Sequence, residues 1–127
     1  MKEKKFYICE RCGNIVEMVY DSGVNPVCCG EKMKALIPAS VDASHEKHVP
    51  VYTREGDRVT VSVGSVAHPM SEEHSIEWIQ LITDKGEHRA KLNPTDAPTA
   101  SFNIPGEKPI AVYAYCNLHG LWRAEII

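Results

Sequence analysis

The chain has 127 residues, a net charge of −3 and an ordinary globular composition, with 43% hydrophobic and 24% charged residues. This length allows one domain of ordinary size, or a small domain joined to a very small one. The acidic balance lacks the positive surplus that binding to a nucleic-acid backbone needs. Since no stretch reaches the roughly 20 apolar residues of a membrane span, we expect a globular protein that binds neither nucleic acid nor membrane.

Only three residues, 6–8, separate the charged N-terminal residues from the first cysteine, too few for the apolar region of a signal peptide. We therefore expect a cytoplasmic protein, in a compartment that keeps thiols reduced. The cysteines are odd in number: Cys9, Cys12, Cys28, Cys29 and Cys116. Metal binding explains them better than a disulfide framework does.

Four of the five cysteines lie in the first 29 residues, in a segment too short to be held together by an apolar core alone. Pro38-Ala39-Ser40 follows this segment and has the composition of a boundary. We therefore predict two domains, a metal-stabilised one over 1–37 and a larger one over 38–127.

The N-terminal cysteines have the spacing of a tetrahedral thiolate site. Cys9 and Cys12 form a Cys-x-x-Cys knuckle, and sixteen residues later Cys28 and Cys29 form a second pair. The second pair is directly adjacent, so its backbone must twist to direct both sulfurs to one ion, and we expect a distorted tetrahedron. The spacing leaves three interpretations open: structural zinc, a single iron that could also pass electrons, and reduced thiols without metal.

Residues 38–127 alternate apolar and polar residues between turn signals, which predicts a β-rich domain. Within 58–63, three valines would lie on one face of a strand with a single buried side. The predicted strands cover 49–53, 58–63, 75–83, 88–92, 100–104, 110–115 and 122–126. Seven short strands at this spacing predict a mainly β fold with an immunoglobulin-like sandwich, whose functional residues lie in loops at one end.

Histidines cluster in or beside the predicted loops of this second domain. Cys116 and His119 lie three residues apart in the turn between the last two strands, and His68 and His74 share one short connection. His48 lies just before the first strand. Structural zinc takes four ligands and prefers more sulfur, so an imidazole-rich set with one thiolate suits a redox iron with an open position.

Five separated motifs, in one order along nearly the whole chain, resemble the desulfoferrodoxin family, the two-iron class of superoxide reductases. They are Cys9-x-x-Cys12, Cys28-Cys29, Glu46-Lys47-His48-Val49-Pro50, His68-Pro69-Met70 with His74, and Cys116-Asn117-Leu118-His119. Together these motifs are far more specific than any one cysteine knuckle.

The resemblance implies two iron ions per chain. One would occupy a desulforedoxin-like, rubredoxin-like site held by Cys9, Cys12, Cys28 and Cys29. The other would be catalytic, held by His48, His68, His74 and His119 with Cys116 as the axial ligand. The implied activity is the reduction of superoxide to hydrogen peroxide by a homodimer, with electrons from a rubredoxin-type protein. His45 and His88 match no part of the pattern, and we expect both to be solvated.

Two residues beside His48 are candidates for a catalytic role. Lys47 would place a cation near the open face of the iron, where it would attract the superoxide anion and orient a proton-donating water. Glu46 would offer a hard carboxylate oxygen that prefers ferric to ferrous iron.

Three other functions stay open at this point: an electron carrier that uses the four-cysteine site, a zinc-ribbon binding module, and a superoxide dismutase. The first two leave His48, His68, His74 and His119 unexplained. A dismutase would release oxygen and consume no reductant, which separates it experimentally from a reductase.

Overall fold

A computed structural model describes residues 4–39, 48–64 and 67–126, and within them the chain forms twelve β-strands and no helix. The chain divides into two compact units, Met1–Ile37 and Pro38–Ile127. The predicted fold class is confirmed, because a cysteine-rich N-terminal unit of strands precedes a β-sandwich. No helix with the length and hydropathy needed to cross a bilayer occurs in the described segments.

The first unit is a small antiparallel structure with a minimal core. Its strands are β1 (Phe6–Ile8), β2 (Ile15–Glu17), β3 (Val27–Cys28), β4 (Glu31–Lys32) and β5 (Lys34–Leu36). β1 pairs with both β2 and β5, whereas β3 and β4 form a separate hairpin. A buried cluster consists of Tyr7, Cys9 and Met33, with Val16, Met18 and Cys28 packed against it. Cysteines are therefore part of the little apolar core that this unit has.

The second unit is a sandwich of seven antiparallel strands. They are β6 (Pro50–Glu55), β7 (Arg58–Val63), β8 (Ile76–Thr83), β9 (Gly86–Lys91), β10 (Thr99–Asn103), β11 (Pro109–Cys116) and β12 (Gly120–Glu125). One sheet has the order β10-β7-β6 and the other β12-β11-β8-β9. All seven predicted strands are present, and their ends differ from the prediction by no more than two residues.

The core of the sandwich lies between the two sheets. As the alternation predicts, Val59, Val61 and Val63 on β7 are fully buried, and each contributes about 1.5–3 kcal/mol by burial. They pack in one cluster with buried residues of β8, β10 and β11, and Cys116 at the end of β11 belongs to this cluster. A sulfur is thus held in place by the packed core.

Strand register places several loops at the same end of the sandwich. Pro50, the first residue of β6, pairs with Val63, the last residue of β7. Ile76, the first residue of β8, pairs with Cys116, the last residue of β11, which in turn pairs with Gly120 at the start of β12. The connections before β6 and β8 and after β7 and β11 therefore meet at one end.

Candidate metal centres

Five predicted ligands come together at that end of the sandwich. His48 precedes β6, His68 and His74 lie between β7 and β8, Cys116 ends β11, and His119 lies in the turn before β12. One nitrogen or sulfur atom from each lies within 4.8 Å of the corresponding atoms of the others. Residues from three separate parts of the chain thus converge on one point.

The four imidazoles form a square. The ring centroids of neighbouring pairs are 4.8 Å apart for His48 and His68, 4.6 Å for His68 and His74, 4.9 Å for His74 and His119, and 4.7 Å for His119 and His48. Each neighbouring pair is close to perpendicular, whereas the diagonal pair His48 and His74 is 6.5 Å apart. Four nitrogen donors in this arrangement suit the equatorial plane of a metal ion.

The sulfur of Cys116 lies 3.5 Å from His68 Nε2 and 3.8 Å from His119 Nδ1. His48 Nε2 lies 3.0 Å from His119 Nδ1, closer than two lone pairs would approach without a shared proton or cation. Cys116 is fully buried, whereas His119 is exposed. The five donors therefore extend from the buried core to the surface. A small molecule from solution could approach the site on its His119 side.

Burial and a hydrogen bond keep the His68 imidazole neutral. Its Nδ1 lies 2.7 Å from the carbonyl oxygen of Pro69, which can only accept a hydrogen bond, so Nδ1 carries the proton and Nε2 keeps its lone pair. The pKa of His68 is lowered from 6.5 to about 4, mainly by burial and to a lesser extent by the three neighbouring imidazoles, against the opposing bond to Pro69. At neutral pH the lone pair of Nε2 is therefore available to a metal.

An aromatic residue that the sequence analysis did not identify packs against His48. The ring of His48 stacks on Trp122 of β12, with centroids 4.8 Å apart and planes inclined by 20°. Trp122 is 9% exposed, so the stack restricts the rotation of an imidazole that lies outside any strand. Its position two residues into β12 resembles any core position of a strand, and the sequence carries no other signal for it.

The four N-terminal cysteines also converge. Their sulfurs lie within 4.8 Å of one another, with 3.6 Å between Cys12 and Cys28 and 4.0 Å between Cys28 and Cys29. These separations are too long for a disulfide bond, and they agree with sulfurs at the corners of a tetrahedron with metal–sulfur distances of about 2.3 Å. The residues present fit a closed tetrathiolate site.

The adjacent cysteine pair has the twist that its spacing requires. Cys29 and Gly30 connect β3 to β4, and both have positive φ, 52° and 75°. Two such residues in a two-residue hairpin loop form a type I′ turn, which favours Asn-Gly and disfavours a cysteine. The turn directs the sulfur of Cys29 to the side of Cys28, at the expense of backbone strain.

The thiols of this site resist simultaneous ionisation without a cation. A backbone hydrogen bond from Cys12 is the main cause that lowers the pKa of Cys9 to about 6. Hydrogen bonds from the neighbouring thiols, that of Cys12 first, raise the pKa of Cys28 and raise that of Cys29 to about 12. A thiolate is therefore favoured at Cys9 and disfavoured at Cys28 and Cys29, so a bound cation would relieve the repulsion.

Some predicted residues are not part of these two clusters. His45, Glu46 and Lys47 lie outside the described residues. His88, which we expect to be solvated, is partly exposed. Its Nε2 lies 3.0 Å from a carboxylate oxygen of Glu107, 19 residues further along the chain, and Thr83 donates a hydrogen bond of 2.7 Å to the same oxygen.

Fold and donors together define a β-protein with one closed four-sulfur site and one open imidazole-rich site. A family model described as desulfoferrodoxin matches residues 40–125, and a second, the desulfoferrodoxin N-terminal domain, matches residues 1–36. The chain therefore belongs to the desulfoferrodoxin family.

Individual relatives agree with this assignment. The desulfoferrodoxin of Syntrophotalea carbinolica is 50% identical over 98% of this chain and 99% of its own length. That of Nitratidesulfovibrio vulgaris is 49% identical over 95% of each chain. The crystal structure of the superoxide reductase from Treponema pallidum is 33% identical, with a TM-score of 0.86 over 98% of this chain and 99% of that one.

Proposed function

We propose that this chain is a superoxide reductase, which reduces superoxide to hydrogen peroxide by one electron from an external reductant. The observation that carries the proposal is the convergence of His48, His68, His74, His119 and Cys116 within 4.8 Å at one end of the sandwich. Solved structures of similar sequence and fold, including the one from Treponema pallidum, are superoxide reductases.

The five donors would hold a mononuclear non-haem iron. Ferrous iron on four neutral imidazoles and one thiolate would carry a net charge of about +1 and supply one electron to the substrate. The chain's own contribution is to keep His68 neutral through burial and its bond to Pro69. It also holds the sulfur of Cys116 within the core, on the far side from solvent.

The residues next to His48 are proposed to serve the substrate. Lys47 would attract the superoxide anion and help to orient a water that donates a proton to the product. Glu46 would offer its carboxylate to the oxidised iron once the product has left. Their support is their position in the sequence, one and two residues before a proposed ligand.

A second iron is proposed for the four-cysteine site, which would receive electrons from a rubredoxin-type donor in the cytoplasm. Four thiolates leave no position for a substrate, and iron in such a site passes single electrons.

We also propose a homodimer. Its support is the resemblance to desulfoferrodoxin, and the first unit exposes apolar side chains that an interface could cover, namely Val19, Tyr20, Val24, Val27 and Ile37.

The test is a balance of reactants on the iron-loaded protein. We expect each superoxide to consume one electron from the reductant and to yield hydrogen peroxide without release of oxygen. A dismutase would instead release oxygen without using reductant. An electron carrier would leave the decay of superoxide unchanged.

Matched variants separate the five-donor site from the rest of the chain. His68→Ala removes a proposed ligand, and we expect it to lower the rate of superoxide reduction by more than about a hundredfold. Loss of a residue that only orients a metal ligand already lowers metal affinity or activity 10–100-fold. His88→Ala removes a histidine that is bonded to Glu107 instead, and we expect it to keep the rate of the unaltered chain. Equal rates in the two variants would contradict the proposal.

A further inference from the structure

Asn117 lies between two proposed ligands, Cys116 and His119, and its side chain bonds to the residues on either side of a third, His74. Its Oδ1 accepts a hydrogen bond of 3.0 Å from the backbone N–H of Ser75, and its Nδ2 donates one of 3.0 Å to the carbonyl of Glu73. The two bonds therefore hold the residues on either side of His74. The backbone N–H of Asn117 also donates to the carbonyl of Ser75 at 3.2 Å.

An amide is suited to this position because it has a donor and an acceptor on neighbouring atoms. It pairs with the backbone of residues 73–75 as a peptide group of an adjacent strand would. This pairing continues beyond the last β8–β11 partners, Ile76 and Cys116, where the register shifts. The side chain of Asn117 thus supplies hydrogen bonds at the point where regular pairing of β8 with β11 ends.

Ser71 forms further hydrogen bonds near His74, and these lie within the β7–β8 connection. The hydroxyl of Ser71 accepts from the N–H of His74 at 3.2 Å and donates to its carbonyl at 3.3 Å, and the Ser71 N–H donates to the same carbonyl at 2.9 Å. These bonds shape the turn, but they do not relate it to another ligand. The bonds of Asn117 link it to the turn that carries Cys116 and His119.

We propose that Asn117 is a positioning residue that fixes His74 relative to Cys116 and His119 and thereby sets the metal affinity of the five-donor site. This inference rests on the proposed function, because it assumes that the five donors hold one ion. Outer partners that orient metal ligands typically change affinity 10–100-fold when they are removed.

The test measures cobalt(II) affinity of the full chain by competition with a chelator. The two sites are followed separately, because four thiolates give a stronger charge-transfer absorption than one. We expect Asn117→Ala and Asn117→Leu each to weaken the five-donor site about ten- to hundredfold and to leave the four-cysteine site unchanged. Leu restores the volume without the bonds, so recovery of affinity in Asn117→Leu would overturn the proposal. Asn103→Ala, at an exposed position of β10, is the matched control.

A double-mutant cycle with His74→Ala tests whether Asn117 acts through that ligand. If it does, adding Asn117→Ala or Asn117→Leu to His74→Ala should change the affinity by less than about twofold, since the positioned ligand is already absent. A general effect on folding would persist in both backgrounds, and that result would overturn the inference. Failure of the unaltered chain to bind cobalt at the five-donor site would instead contradict the proposed function itself.

Discussion

The two cysteine-containing sites differ in what holds their ligands in place. In the first unit, Cys9 belongs to the small apolar cluster and Cys28 packs against it, so the proposed ligands are a large part of what defines the fold. In the second unit, Cys116 is the last residue of β11 and belongs to a buried cluster of eleven residues. The proposed histidine ligands lie in loops outside that cluster. We therefore expect a metal in the first site to stabilise the fold of its unit, whereas the second unit has a larger core made mainly of other residues.

The sites also differ in what they leave open. Four sulfurs at tetrahedral separations enclose an ion completely. The sandwich offers a square of imidazoles with a buried sulfur close to His68 and His119, and the exposed His119 leaves one side to solvent. This contrast favours electron transfer at the closed site and substrate chemistry at the open one.

Metal removal should give the largest difference between the two units. We expect a strong chelator under reducing conditions to abolish the protection of backbone amides in 4–37, because metal binding supplies most of the folding free energy of so small a unit. The strands of the sandwich should keep their protection, since ten of the eleven residues of their core cluster are not proposed ligands. Hydrogen exchange with mass spectrometry measures both, and retained protection in 4–37 would contradict the comparison.

The turn at Cys29 allows the first site to be removed with little harm to its backbone. Asn is favoured at the positive φ of this position, so Cys29→Asn should lose the visible absorption of the four-cysteine iron while the hairpin persists. Gly30→Ala is the opposite control, because it strains the turn by about 1–2 kcal/mol but keeps all four ligands. We expect Gly30→Ala to keep the visible absorption. If Gly30→Ala also lost it, the loss in Cys29→Asn would be explained by the distorted backbone and not by the missing sulfur.

Substrate attraction should matter at the open site alone. We expect Lys47→Ile to slow the bimolecular reaction with superoxide about tenfold and to flatten its dependence on ionic strength, because a cation near the site steers the anion. Pulse radiolysis at several salt concentrations measures both quantities. Lys34→Ile, at an exposed position of the first unit, is the control. An equal salt response in the two variants would exclude steering by Lys47.

The smallest predicted effect concerns His88, the described histidine outside the five-donor site. Its hydrogen bond, followed by that of Thr83, holds the pKa of Glu107 below its ordinary value of 4.5. The carboxylate therefore contributes stability above pH 4.5, and this contribution is lost as the pH falls through the depressed pKa.

Thermal unfolding at pH 7 and below 4 tests this contribution. At pH 7, Glu107→Gln should lower the unfolding temperature by on the order of a few degrees at most. The difference from the unaltered chain should shrink in acid. Glu55→Gln, at an exposed position, should show no such pattern, and a difference for Glu107→Gln that grows in acid would contradict the prediction.

Local patterns in the sequence predict much of this fold. Alternation over 58–63 places three valines in the core, and the adjacent cysteine pair requires the twist found at Cys29. Contacts between distant residues have no such local signal. The bonds of Asn117 to residues 73 and 75, the stack of Trp122 on His48 and the pairing of His88 with Glu107 depend on strand register. For the bonds of Asn117, the sequence offers one indication, namely the position of this asparagine between two proposed ligands.

X-ray absorption at the iron edge of the Cys29→Asn variant tests the central claim most directly, because this variant should carry iron only in the sandwich. We expect a shell of imidazole nitrogens with a single sulfur, and loss of that sulfur in the Cys29→Asn, Cys116→Ser double variant. A shell without sulfur, a shell of several sulfurs, or a variant that binds no iron would contradict the assignment of His48, His68, His74, His119 and Cys116 to one ion.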